Sequence, residues 1–373
     1  MSLDLSLTKS EEILKSTTQD FLAREIPKET LHSLLDSDTG YTEVIRQKVA
    51  DIGWFGIIIP EKFGGIGYPL TSAGILFETL GSCPLPGPYF SSGILGSLII
   101  MEAGSEMQQQ QLLPEVSAGN TILSMALTEP EYSWDASSIH TTASVNGNGF
   151  ILNGIKLFAV DAGAATHFIV VARSDKGISL FLVAKHTEGV SLKRMPGFLT
   201  GRMFEVKFDG VNVPQTALLG EINQGWSLLE QAIQKAIPVL CAYKVGGCQA
   251  VFDMALAYSR QRIQFSQPIG RFQRVQDMII EMINHTDAAR WTTYEALWKL
   301  DTQQPVGESI HLAKAVTSEA YWQVCTFGHR VFSGISYSME HALSYHTRVS
   351  RSLYGYLGEP SYHRQQIAKK LLC

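Results

Sequence analysis

Histidines, serines beside glycines and clustered glycines are the residue types in this chain that could do chemistry, and their spacing decides what they can do. His329, His341, His346 and His363 fit no metal-ligand spacing and read as structural side chains. The run Ser333-Gly334-Ile335-Ser336 lacks the GxSxG pattern that a nucleophile elbow needs between a strand and a helix. Gly64-Gly65-Ile66-Gly67 does not spell GxGxxG and follows no alternating strand–helix unit, so it reads as a chain reversal rather than a phosphate loop. Five cysteines, Cys83, Cys241, Cys248, Cys325 and Cys373, are odd in number and scattered without a CxxC, the pattern of reduced thiols.

The elements that hold these residues are those of an ordinary globular protein. A chain of 373 residues has length for two or three domains with sizeable cores. Hydrophobic residues make up 45% and charged residues only 17%, a shortage of charge that points to extra buried surface, as in an oligomer. A net charge of -5 and a pI near 6.1 carry no electrostatic footprint for nucleic acid or an anionic membrane. The N-terminal MSLDLSLTKSEE is too polar for a signal peptide, and the most apolar stretch, Leu95 to Ile100, is too short to span a bilayer. A cytoplasmic protein without a membrane span is expected.

Three zones differ in periodicity. Residues 1–120 read as helical, with Ile13, Leu14, Thr17 and Phe21 spaced by three and four and a capping box from Thr8 to Glu11. Residues 121–222 read as strands: 143–145, 150–152, 168–172, 180–184, 190–192 and 204–208. Turn chemistry separates them at Asn146-Gly147-Asn148-Gly149, Asn153-Gly154, Asp175-Lys176-Gly177 and Asp209-Gly210. With no helix between strands, a small antiparallel barrel or sandwich fits better than a doubly wound sheet. Residues 223–373 return to helix: 224–262 interrupted at Pro238, then 272–301, 307–333 and 362–372. The predicted order is therefore α–β–α, an α+β class of fold, without internal repeats.

Ordered strings along the chain resemble the acyl-CoA dehydrogenase family. They are Ala50-Asp51-Ile52-Gly53-Trp54 with Pro60-Glu61-Lys62-Phe63-Gly64-Gly65, then Ala126-Leu127-Thr128-Glu129-Pro130, and Leu152-Asn153-Gly154-Ile155-Lys156. Val206-Lys207-Phe208-Asp209-Gly210-Val211-Asn212-Val213-Pro214 follows, and then Tyr258-Ser259-Arg260-Gln261-Arg262-Ile263-Gln264-Phe265 with Pro268-Ile269 and Phe272-Gln273. The resemblance implies an N-terminal helical domain, a middle antiparallel β-domain and a C-terminal helical bundle. It also implies flavin adenine dinucleotide (FAD) between the β-domain and the C-terminal helices, and dimers or tetramers. An acyl-CoA substrate and electron-transfer flavoprotein as acceptor follow from it too.

The same resemblance assigns the cofactor residues. Thr128 meets the pyrimidine edge of the flavin, Phe158 lies against the ring system, and Val160 stands where a hydroxyl near N5 is usual. Arg262, with Phe265 and Gln273 beside it, reaches the pyrophosphate across a subunit boundary; a guanidinium suits a diphosphate because it donates in a planar fork. Arg330 replaces a glutamine near the adenosine diphosphate, and Gly334 permits close approach of backbone to the adenosine half.

On the substrate side the chain departs from the family. Trp134 replaces a small residue against the pantetheine arm, and Gln234 and Ile237 replace an acidic residue and an arginine that contact CoA. Tyr356 is a further substrate-side residue. The family places its catalytic glutamate at the position of Leu357 or, in some members, of Ala236; both residues here are aliphatic and cannot take a proton. Glu359 and Asp161 are the carboxylates nearest to a substitute, and Glu359 also suits the start of the following helix. The resemblance leaves two further readings open: a non-catalytic subunit that pairs with a base-bearing paralogue, and a flavin-free structural homologue.

Overall fold

The computed structural model describes residues 6–196 and 202–371. Helices open the chain: α1 (Lys9–Glu25), α2 (Lys28–Asp36), α3 (Glu43–Asp51), α4 (Leu70–Ser82), α5 (Ser97–Ala103) and α6 (Glu106–Ser117). Thr8 caps α1 with a full capping box to Glu11. The inward stripe of α1 is Thr18, Phe21 and Leu22, whereas Ile13 is exposed, so the apolar spacing of the sequence located the helix but misplaced part of its buried face. The glycine run after Pro60 does reverse the chain: Ile66, Gly67 and Tyr68 donate back to the carbonyls of Gly56, Ile59 and Ile57.

Among the described residues eight strands follow: β1 (Leu123–Ala126), β2 (Thr142–Asn146), β3 (Gly149–Val160), β4 (His167–Ser174), β5 (Gly177–Ala184), β6 (Val190–Arg194), β7 (Met203–Pro214) and β8 (Leu218–Leu219). They form one sheet in the order β6-β7-β3-β2-β4-β5-β8, with β1 added in parallel beside β4. Two turn assignments from the sequence are corrected. Asn153-Gly154 and Asp209-Gly210 lie inside the long strands β3 and β7, where the register shifts between Leu152 and Gly154. The physical reason is a bulge: Gly154 has φ 157°, and a Cβ there would stand 2.4 Å from the Thr141 hydroxyl, while Asn153 Oδ1 accepts the Gly210 N–H. One face of this sheet buries Phe150, Leu152, Phe168, Phe181, Val206 and Phe208, which gives the strand zone its core.

The remaining chain is helical apart from a two-stranded hairpin: α7 (Gly225–Gln261), β9 (Ile263–Gln264), β10 (Gln267–Pro268), α8 (Gln273–Asp301), α9 (Gly307–Phe332), α10 (Ala342–Ser352) and α11 (Pro360–Leu371). Pro238 does not interrupt α7; the helix runs through it, and only the Gln234 carbonyl loses its usual donor. Helix α7 is long and apolar enough to cross a membrane, yet most of its apolar window is buried inside the fold, as in a core helix.

By contacts the chain divides into two compact units. The helical unit comprises residues 1–32, 69–85 and 237–373, and the sheet-bearing unit residues 33–68 and 86–236. In the helical unit α4 and α7 approach at backbone distance, because a Cβ on Gly81 or Gly246 would fall 1.9 Å from the Tyr243 carbonyl or 1.8 Å from that of Glu78.

Candidate active site

In the sheet-bearing unit the segment after β1 is pinned by a buried ion pair. Lys156, on β3 and without exposure, donates from Nζ to Glu129 Oε1 at 2.6 Å and to the Leu127 carbonyl at 3.1 Å. The Glu129 carboxylate also accepts the backbone N–H groups of His140 at 2.7 Å and Thr141 at 2.9 Å. Burial pushes the Lys156 amine down to about 8 against the pull of Glu129. Burial works against the Glu129 carboxylate, but Lys156 and the two N–H donors outweigh it and hold its pKa below the usual range. Between these anchors Thr128 is buried, and its carbonyl accepts the Leu157 N–H at 2.8 Å. Thr128 is thereby held beside the end of β3.

That strand end is strained. Phe158 and Asp161 take left-handed backbone at φ 55° and 59°, a conformation that non-glycine residues adopt at a cost and that clusters at functional sites. Phe158 remains 37% exposed and packs edge-on against Tyr132 at 5.5 Å, so its ring is available to a planar partner. Val160 gives its carbonyl to the Ser124 hydroxyl at 2.8 Å. Asp161 turns inward: it accepts from Ser91 Oγ at 2.7 Å and lies 3.6 Å from Arg202 Nε. Burial raises its carboxyl pKa while Arg202 opposes the rise. The Trp134 indole N–H is buried and has no hydrogen-bond partner among the described residues. In the same unit Gln234 is half-buried and Ala236 fully buried on α7.

The helical unit holds the other residues. Arg262 follows α7 and is exposed, and the hairpin after it presents Phe265 at 88% exposure, with φ 52° and its ring edge-on to Phe272 at 6.0 Å. Gln273 opens α8 and is exposed. Near the end of α9, Arg330 lies over the Phe327 ring at 5.4 Å. A Cβ on Gly334 would meet nothing within 4 Å, so this glycine faces open space. Ile237 is buried and Tyr356 half-buried. Leu357 is 1% exposed, at φ 59°, in the turn before α11. Glu359 is exposed, and its carbonyl accepts the His363 N–H as α11 begins. The histidines are engaged in packing: His329 meets Ser336 and Thr347, and His346 meets Tyr321. No group of three or more potential metal ligands occurs among the described residues. Cys83, Cys241, Cys248 and Cys325 are free thiols, and Cys373 lies outside the described residues.

Three family models match the chain in order: acyl-CoA dehydrogenase N-terminal domain over residues 8–120, middle domain over 124–211 and C-terminal domain over 223–372. The chain belongs to the acyl-CoA dehydrogenase family. A 3-(aryl)acrylate reductase of Clostridium sporogenes is 28% identical to it over 98% of this chain and 99% of that protein. The caffeyl-CoA reductase-Etf complex subunit CarC of Acetobacterium woodii is 27% identical over 98% of this chain and 99% of its own. Butyryl-CoA dehydrogenase from Megasphaera elsdenii superposes with a TM-score of 0.91 at 26% identity, covering 100% of both chains.

Acyl-CoA dehydrogenases are FAD-binding oxidoreductases. The sheet-bearing unit has the pinned Thr128 and the partly exposed Phe158 ring. The helical unit has the exposed Arg262 guanidinium and the open face at Gly334. Reading the sequence missed the groups behind them. Lys156 and Glu129 stood in the recognised strings, but 27 residues separate them, and only the fold makes them one ion pair.

Proposed function

We propose that this acyl-CoA dehydrogenase is an FAD-dependent oxidoreductase working at the α,β-carbons of an acyl-CoA thioester, with no carboxylate at either position where its family carries a base. The observation that carries the flavin reading is the buried Lys156–Glu129 pair, which fixes Thr128 beside the partly exposed ring of Phe158. Thr128, Phe158 and Val160 would hold the flavin ring system, and Arg262, Phe265, Gln273, Arg330 and Gly334 the dinucleotide. Bound flavin supplies a hydride acceptor. Trp134, Gln234, Ile237 and Tyr356 would line the thioester's path, with the Trp134 indole narrowing it where the family keeps a small side chain.

Proton removal beside the thioester needs a carboxylate of raised pKa held against the C–H. Leu357 and Ala236 offer none, and loss of a general base lowers rate by ~10²–10⁴-fold. Asp161 is committed to Ser91 and Arg202, and Glu359 is exposed at a helix start, so neither is well placed to replace it. The exposed Phe265 and Arg262 favour a second reading, in which the chain lends flavin-site groups across an interface to a base-bearing paralogue. Electron-transfer flavoprotein is the proposed acceptor, in keeping with the name of the related Etf-complex subunit.

The test is spectroscopic. Purified protein should show flavin absorbance, and an anaerobic panel of acyl-CoA thioesters should bleach it slowly, with Leu357→Glu accelerating the bleaching. Bleaching only after mixing with a glutamate-bearing paralogue would favour the subunit reading. Protein that takes up no flavin, alone or mixed, would overturn both.

A further inference from the structure

The turn carrying Leu357 is held from behind by groups that the proposed function does not use. Leu357 and Gly358 are successive residues with positive φ, 59° and 103°. Such backbone persists where the surroundings over-determine it. Lys314, fully buried on α9, donates from Nζ to the Gly358 carbonyl at 2.6 Å and lies 3.4 Å from that of Tyr354. His363 Nε2 donates to the Leu357 carbonyl at 2.9 Å, which leaves its Nδ1 to accept from His311 Nδ1, also at 2.9 Å. Gly358 is required by this contact, since a Cβ there would stand 2.5 Å from His363 Nε2.

Lys314 does not stand alone. Lys244, on α7 and 1% exposed, donates to Ser318 Oγ at 2.8 Å, and Lys314 donates to the same oxygen at 3.2 Å. Among the described residues neither amine has a carboxylate hydrogen-bond partner. Two buried ammonium groups sharing one hydroxyl repel, and each loses solvation, so the pair favours a single charge. Burial pushes the Lys244 amine down to about 8, and burial together with Lys244 lowers Lys314 well below the ordinary lysine range. Lys314 reaches two carbonyls of the turn as well as the shared hydroxyl, whereas Lys244 meets that hydroxyl and Lys314 itself and has no hydrogen bond to the turn among the described residues.

We propose that Lys314 is the positioning residue of the turn at 357, holding the Gly358 carbonyl while His363 holds that of Leu357. The meaning of residue 357 rests on the function proposed above; the clamp itself rests on these contacts. It sets the backbone from which any side chain at 357 projects.

Hydrogen–deuterium exchange on the full-length purified protein tests this without reference to activity. Lys314→Met should speed exchange across residues 354–359 by roughly tenfold or more, with α8 unchanged. Lys244→Met leaves the contacts of Lys314 to the turn's carbonyls in place and should leave exchange of the turn within about twofold of wild type. Unchanged exchange in Lys314→Met, or a turn loosened by Lys244→Met, overturns the proposal. If Lys314→Met does not fold, Lys244→Met decides alone, because a loosened turn would show that Lys244 carries the clamp. In a Leu357→Glu background, Lys314→Met should abolish any gain in flavin bleaching. Should Leu357→Glu gain none, the functional reading fails, while the exchange result still judges the clamp.

Discussion

Lys156 and Glu129 show how much can depend on one buried pair. Both side chains are out of water, and the carboxylate keeps two backbone donors when the lysine is removed. Breaking a buried pair from one side leaves an uncompensated charge, at a cost of about 3–5 kcal/mol. Lys156→Met should therefore lower unfolding free energy by roughly 3 kcal/mol, toward the low end because the two N–H donors remain. Under the proposed function it should also release flavin, since the segment holding Thr128 loses its anchor. Urea unfolding and the flavin-to-protein absorbance ratio measure the two effects. A variant as stable as wild type would show that the pair contributes nothing net. Removing both charges with Lys156→Met and Glu129→Gln should recover part of the loss, because an amide is far cheaper to bury than an unpaired carboxylate.

Helices α4 and α7 meet through glycines, and their contact makes a sharper prediction than any apolar stripe. A Cβ at Gly246 would lie 1.8 Å from the Glu78 carbonyl, which is backbone and cannot swing aside. Gly246→Ala should destabilise by ~1–3 kcal/mol or more, despite alanine's better helix propensity. Gly334→Ala is the contrasting case: its Cβ meets open space, so stability should hold while flavin affinity falls if backbone approach matters there. Chemical denaturation separates the two variants. These close approaches were not legible in the sequence, whereas most helices were. Periodicity and the Thr8–Glu11 box located α1, because both are local signals. Pro238 misled because proline normally ends a helix, yet here burial of Val239, Leu240 and Cys241 around it outweighs one lost hydrogen bond. Asn153-Gly154 misled because a bulge and a hairpin turn use the same residues, and only the pairing with β7 distinguishes them. The clamp behind Leu357 was invisible for the same reason: Lys244, Lys314 and His363 lie on three helices far apart in sequence.

Taken together, the buried histidines make the molecule sensitive to acid. Burial pushes His346 down to about 3, His363 to about 3 and His311 to about 4. Each is neutral in the fold but takes a proton near pH 6.5 once unfolded. Below pH 6.5 the unfolded chain therefore binds more protons, and stability falls with pH until the folded values are reached. Each independent histidine contributes ~1.4 kcal/mol per pH unit, and the hydrogen-bonded His311–His363 pair acts as a coupled unit, so a loss of roughly 3–4 kcal/mol per unit is expected. Calorimetry from pH 7 to 5 should show a steadily falling Tm; a flat profile would sink this account. Assembly is the remaining question for the molecule. Ile263 and Phe265 on the hairpin, and Ile335, Tyr337 and Met339 after α9, are exposed at 59%, 88%, 59%, 71% and 51%. Large apolar side chains grouped on one unit, in a chain short of charge, call for a covering surface. If the covering surface is a second copy, light scattering at micromolar concentration should give a dimer or tetramer, and Phe265→Ser should shift it toward monomer. Because Arg262 adjoins that hairpin, the same substitution should lower flavin content in parallel. A wild-type monomer that retains flavin would remove the shared-site idea, and with it the proposed division of labour with a base-bearing paralogue.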